Sequence, residues 1–327
     1  MRLHRYARRI VIALLNWIQL SRGGVHDPTN QFAADAMTQT VHVISTMVAS
    51  LFIAVALAWS VTTIAENSGD HSHSRPVLLF LGDSLTEKGT DPATQGWVTL
   101  LQSRYTRSAG IVVRGLSGYN TKWFVKDVVP LVDREIWTKA YATPSLVIVW
   151  LGANDAALWN GSNSETHVPI GDYKENLIKI ISGLWVAAPT AHFLLITPPH
   201  VNDSARVEIA NERTNSKRGL VDRSNAMTKK YARACVEASE TLNVTVLDLN
   251  SYFNAMSEAG RNALLVDGLH FNQDGNKVVD EQLRNKIAAE FPALDKALQV
   301  WQFPPASTWV STDPWVADSK SQVVELG

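Results

Sequence analysis

Ser84, Asp267 and His270 are the side chains whose types and spacing fit one piece of chemistry, attack by an activated hydroxyl. A free serine hydroxyl is a poor nucleophile at neutral pH, so an imidazole must take its proton. A carboxylate on the other ring nitrogen then fixes the tautomer and stabilises the imidazolium that forms. Asp267-Gly-Leu-His270 places acid and base three residues apart, close enough for contact on one helical turn or in a tight loop. Ser84 comes first in the chain and His270 last. Attack on a carbonyl also builds negative charge on oxygen, and hydrogen-bond donors must already point to that place. The backbone N–H groups of Ser84 and Gly118 and the side-chain amide of Asn154 are the donors available. Asp83 and Asp155, beside these positions, read as hydrogen-bonding residues that fix the loops. His167, His192 and His200 are further candidate bases, but none has an acid at the spacing of Asp267. His200 follows Pro198-Pro199 and is expected to line the pocket.

Strands must bring these residues together. Val77-Leu-Leu-Phe-Leu-Gly-Asp-Ser84 is a short apolar run ending at a glycine and a serine, as in a strand buried on both faces of a parallel sheet. Similar runs occur at residues 111–113, 146–151, 193–196 and 244–247. The second leads into Gly115-Leu-Ser-Gly118 and the third into Gly152-Ala-Asn-Asp155. Helical spacing appears over residues 97–107, 173–187, 218–241 and 276–291. Strands alternating with helices predict an α/β fold with a parallel, doubly wound sheet in a single domain. Its ligands would lie at the carboxyl edge of the strands. The tail beyond Phe291 carries Trp301, Pro304, Pro305, Trp309, Pro314 and Trp315, and reads as an extended strap.

Taken together, these segments resemble the SGNH, or GDSL, family of serine esterases and acylhydrolases. The family's four signature residues correspond to Ser84, Gly118, Asn154 and His270, with Asp267 as the acid. Four longer segments resemble the isoamyl-acetate-hydrolysing esterase branch. They are Arg114-Gly-Leu-Ser-Gly-Tyr-Asn-Thr121, Trp150-Leu-Gly-Ala-Asn-Asp-Ala156, Ile196-Thr-Pro-Pro199 and Asp267-Gly-Leu-His-Phe-Asn-Gln-Asp-Gly-Asn276. The resemblance covers residues 76–305 as one esterase domain, followed by a tail at 306–327. It implies a three-layer α/β/α fold and hydrolysis of small acyl esters through an acyl-enzyme, with no metal or organic cofactor. A sugar deacetylase or a lysophospholipase fits the same segments. An inactive binding protein on this fold is the alternative from another class. The serine is not in the Gly-x-Ser-x-Gly elbow of α/β-hydrolases.

A formal net charge of −1 provides no basic field for nucleic acid. Cys235 is the single cysteine, so no intrachain disulfide forms, and its setting fits a small buried helix residue. His71 and His73 lie in a polar linker at residues 66–75. Residues 43–65 form an uncharged, largely apolar run long enough to span a bilayer. Arg2, Arg5, Arg8, Arg9 and Arg22 fall in residues 1–42, and the next Lys or Arg is Arg75. The positive-inside rule then predicts a cytoplasmic amino terminus and a catalytic domain that is lumenal or extracellular. A signal sequence cut after Ala65 and an N-terminal extension on a cytoplasmic esterase are the competing readings. Asn160, Asn202 and Asn243 head glycosylation sequons, Asn160 and Asn202 being the better acceptors.

Overall fold

The structure is a computed structural model and describes residues 75–315. The apolar run at residues 43–65, the histidines at 71 and 73 and the arginines before them lie outside the described residues. Within these, no helix is long and apolar enough to cross a membrane.

Five strands pair in parallel in the order β2-β1-β3-β4-β5. They are β1 (Val77–Gly82), β2 (Gly110–Gly115), β3 (Leu146–Trp150), β4 (His192–Ile196) and β5 (Thr245–Leu247). Every residue of β1 and β3 is buried, which the unbroken apolar sequence requires of strands covered on both faces. Alternate residues divide between two cores. Leu78, Phe80, Ile148, Leu194 and Ile196 face one side. There they pack with α1 (Trp97–Tyr105) and, farther along the chain, α6 (Gln273–Glu290) through Leu101, Val279, Leu283 and Ile287. Leu79, Leu81, Val147, Val149 and Leu195 face the other side. They pack with α2 (Val129–Trp137), α3 (Ile170–Ala187) and α5 (Asn225–Leu242) through Val132, Leu177, Ile181, Leu184 and Tyr231. The expected three-layer α/β/α architecture is therefore present.

Register sets the position of the site. Gly82 pairs with Gly115 on β2 and with Trp150 on β3, while Trp150 pairs with Ile196. The carboxyl ends are thus level, and the loops after β1, β2 and β3 leave one edge. The chain moves outward from β1 to β2, then returns to the other side of β1 for β3. This reversal opens the crevice in which such sheets hold ligands.

Two expectations need correction. Helix α5 begins at Asn225, not at residue 218, because Ser224 caps it through its side chain to the Met227 N–H and residues before that form a loop. The tail is not a wholly extended strap. It contains α7 (Pro292–Leu298) and α8 (Ala306–Thr312). Pro292 suits the first turn of a helix, and Phe291, Leu294 and Leu298 bury one helical stripe into the core. Helix α4 (Asp203–Glu212), which follows β4, is also present and clasps the histidine turn described below.

Candidate active site

Ser84 opens a single helical turn, Ser84–Glu87, directly after β1. Asp83 caps that turn by accepting from the Leu85 N–H at 2.9 Å, and the Trp97 indole N–H donates to the Leu85 carbonyl at 2.9 Å. Gly82 is needed for close approach, since a Cβ there would lie 2.1 Å from Thr86 Oγ1 and 2.7 Å from the Trp150 carbonyl oxygen. The serine is held in place from both sides.

Asp267 and His270 lie on a tight turn, closed by an isolated antiparallel bridge between Leu265 and Phe271. The Leu269 and His270 N–H groups donate to Asp267 Oδ1 at 3.0 and 2.8 Å. His270 Nδ1 lies 2.7 Å from Asp267 Oδ2, and His270 Nε2 lies 2.9 Å from Ser84 Oγ. Burial alone raises a carboxyl pKa, but the hydrogen bonds from the His270 ring and the turn backbone outweigh it. Asp267 is accordingly held well below the usual carboxylate range. An ionised Asp267 beside Nδ1 leaves Nε2 as the nitrogen able to accept the Ser84 proton.

The two further loops converge on this position. The Leu116 N–H donates to the Gly82 carbonyl at 2.9 Å, and the Ser117 N–H donates to Glu87 Oε2 at 2.6 Å. These bonds tie the loop after β2 to the serine turn. Gly118 has φ of +82°, which favours glycine, and nothing lies within 4 Å of where its Cβ would sit. Asn154 Nδ2 donates to the Tyr119 carbonyl at 2.8 Å, so one amide hydrogen joins the loops after β2 and β3. A primary amide has a second hydrogen to offer.

A charged cluster that sequence reasoning missed lies beneath the site. Asn154 Oδ1 accepts from Arg223 Nη2 at 2.5 Å, and Arg223 Nε donates to the Ala153 carbonyl at 2.7 Å. Arg223 Nη1 and Arg206 both reach the fully buried Asp222. Arg206 also donates to the Asp267 carbonyl at 3.0 Å. Burial raises the Asp222 carboxyl, the two guanidiniums outweigh it, and the net effect is a lowered pKa. Spacing could not reveal this cluster, whose members meet across 69 and 61 residues.

Asp83 and Asp155 do fix loops, as expected. Asp155 accepts from both the N–H and the hydroxyl of Thr121. Both carboxyls are fully buried, and burial pushes each up to about 7. Between the ordinary aspartate value and about pH 7, these two carboxyls therefore keep protons in the folded protein that they release in the unfolded chain. Their contribution to stability falls as pH rises through that window. Asp83→Asn keeps the capping oxygen and removes the titration. It should match the parent in Tm near pH 4.5 and exceed it by ~3 °C or more at pH 8. A parallel pair of Tm-against-pH curves would refute this.

The remaining histidines do other work. His200 is fully buried rather than pocket-lining. Its Nε2 meets the Arg261 carbonyl at 2.9 Å, its ring lies against Phe253, and burial pulls it down to about 4. His167 Nδ1 meets the Ala157 carbonyl, and His192 stacks on Phe291. Cys235 is a buried helix residue, as expected, with its thiol pushed up to about 12 by burial. Of the sequon asparagines, Asn160 and Asn243 are exposed. Asn202 is instead a cap, with its side chain accepting from the Ala205 N–H at 3.2 Å. Among the described residues, no group of three His, Cys, Asp or Glu side chains is arranged to hold a metal ion.

This fold with a strand-end serine, histidine and carboxylate defines a class of carboxylic ester hydrolases, and comparison with known proteins agrees. The GDSL-like lipase/acylhydrolase family profile matches residues 78–283, and the chain belongs to that family. A GDSL esterase/lipase of Arabidopsis thaliana is 36% identical over 219 residues, covering 66% of this chain and 87% of that protein. The isoamyl acetate-hydrolyzing esterase 1 homolog of Bos taurus is 30% identical over 230 residues, covering 69% and 87%. A lipase/acylhydrolase from Enterococcus faecalis aligns structurally with a TM-score of 0.49 and 22% identity, covering 65% of this chain and 96% of that one.

Proposed function

We propose that the protein is a serine esterase that hydrolyses short-chain acyl esters through an acyl-enzyme. The observation that carries this reading is the chain of contacts from Ser84 Oγ to His270 Nε2 and from His270 Nδ1 to Asp267 Oδ2. Ser84 Oγ attacks the ester carbonyl carbon as His270 takes its proton. The oxyanion is met by the Ser84 and Gly118 backbone N–H groups and the free hydrogen of the Asn154 amide. Collapse expels the alcohol, protonated by His270, and leaves the acyl group on Ser84. A water then gives a proton to His270 and attacks the acyl carbon, releasing the acid and restoring Ser84.

Preference for short acyl groups is supported by relatives named for isoamyl acetate hydrolysis. The full-length chain should be labelled at Ser84 by a fluorophosphonate probe. It should also cleave p-nitrophenyl acetate and butyrate faster than the palmitate. Faster cleavage of the palmitate at matched concentrations would sink the short-ester reading in favour of a lipid substrate. Absence of labelling at Ser84 would sink the esterase reading and leave a binding protein.

The apolar run at residues 43–65 and the arginines before it support membrane anchoring with the catalytic domain lumenal or extracellular. Full-length protein made in eukaryotic cells should resist carbonate extraction and lose mass on glycosidase treatment, with exposed Asn160 the better acceptor. Recovery wholly in the soluble fraction, unglycosylated and with intact mass from Met1, would favour a cytoplasmic esterase.

A further inference from the structure

We infer that Arg223 is a positioning residue for the oxyanion-binding amide of Asn154, and that it is held in turn by Asp222 and Arg206. The inference rests on the esterase reading above and goes beyond it. An Asn side chain can present either its oxygen or its nitrogen to a cleft, and only the nitrogen can donate to an oxyanion. The guanidinium has no acceptor, so its 2.5 Å contact must fall on Asn154 Oδ1 and compels Nδ2 to the opposite side. The Tyr119 carbonyl takes one Nδ2 hydrogen at 2.8 Å and fixes the plane of the amide. The other hydrogen is left in a set direction.

The geometry of the guanidinium is also fixed. Its three nitrogens meet three different acceptors, the Ala153 carbonyl, Asp222 Oδ2 and Asn154 Oδ1. Arg223 is 3% exposed and Asp222 is fully buried, so water does not compete for these bonds. Arg206 braces Asp222 with two further bonds, at 2.9 and 2.6 Å, and extends its remaining nitrogen to the Asp267 carbonyl. One buried Arg–Asp–Arg bridge therefore reaches from the oxyanion amide to the turn that holds the acid and base. An unpaired charge here would be costly to bury, whereas a paired one gives a rigid seat. Preorganised donors need no rearrangement as charge develops, which is where such rigidity is felt.

The test is a double-substitution cycle with Arg223→Lys and Asn154→Ala in the full-length protein. Lysine keeps the positive charge beside Asp222 but has one nitrogen, which cannot serve three acceptors in a planar fork. In the parent, Arg223→Lys should lower kcat by ~10-fold or more, with KM within about twofold. On the Asn154→Ala background the same change should lower kcat less than about threefold, because the amide it orients is gone. Equal falls on the two backgrounds, or a change confined to KM, would overturn the inference and leave Arg223 a structural residue. Should Arg223→Lys fail to fold, a structure of the parent carrying the fluorophosphonate-derived adduct on Ser84 decides. The expected result is the phosphonyl oxygen within hydrogen-bond distance of Asn154 Nδ2, with Oδ1 still on Arg223. An amide turned away from that oxygen overturns it. Failure of the esterase reading itself is recognised separately, as a parent protein that the probe does not label.

Discussion

Ser84→Ala is expected to leave a folded protein whose esterase turnover is reduced roughly a thousandfold or more, as removal of a triad nucleophile does in general. The side chain is small and its Oγ contact is to His270, so the fold loses one hydrogen bond and no packing of consequence. The stability cost should stay within about 1.5 kcal/mol. Loss of activity with a Tm within about 5 °C of the parent is therefore the expected pair of results, read by initial rates on p-nitrophenyl acetate and by thermal unfolding. Turnover within tenfold of the parent would mean that another group performs the attack.

The second large effect is expected at Asn154. Asn154→Ala should lower kcat ~100- to 1,000-fold with little change in KM, because the amide meets charge that exists only in the transition state. Truncation also deprives the buried Arg223 of an acceptor, which should cost about 1–3 kcal/mol of stability. Asn154→Asp separates the two consequences. It keeps an oxygen for Arg223 but replaces the donor with a second acceptor, so kcat should fall at least as far while Tm holds closer to the parent. A rise in KM at constant kcat in either variant would place Asn154 in ground-state binding instead.

How much of this was legible in the sequence depended on the range of the interactions. Strands β1 and β3 announced themselves because a strand covered on both faces needs an unbroken apolar run, as Val77 to Leu81 shows. Asp267 and His270 were legible together because their contact is made within one turn. The start of α5 is hard to place from sequence because residues 218–223 mix charged and aliphatic side chains as an amphipathic helix does, while the Ser224 cap that decides the boundary is a single side chain. The helices in the tail were masked by prolines, although Pro292 and Pro305 stand at helix starts where a missing N–H costs nothing. Helix α2 escaped notice for the same reason, with a proline in its first turn. Arg223 was out of reach altogether. An Asp-Arg dipeptide is ordinarily a solvated pair, and only the folded sheet edge buries this one against Asn154.

The turn that holds Asp267 and His270 also divides the catalytic apparatus into two mechanical parts. Acid and base travel together on four residues, whereas the bond to Ser84 joins positions 186 residues apart. The Asn202 N–H on the Gly268 carbonyl and Arg206 on the Asp267 carbonyl clamp this turn to the entrance and first turns of α4. No strand pairing ties it to the sheet, which it meets through packing of Phe271 against Trp150. Displacement of this turn would part the imidazole from the serine while its carboxylate stayed attached. Catalytic competence thus rests on one long-range contact, from Ser84 to His270, that strand pairing alone does not secure.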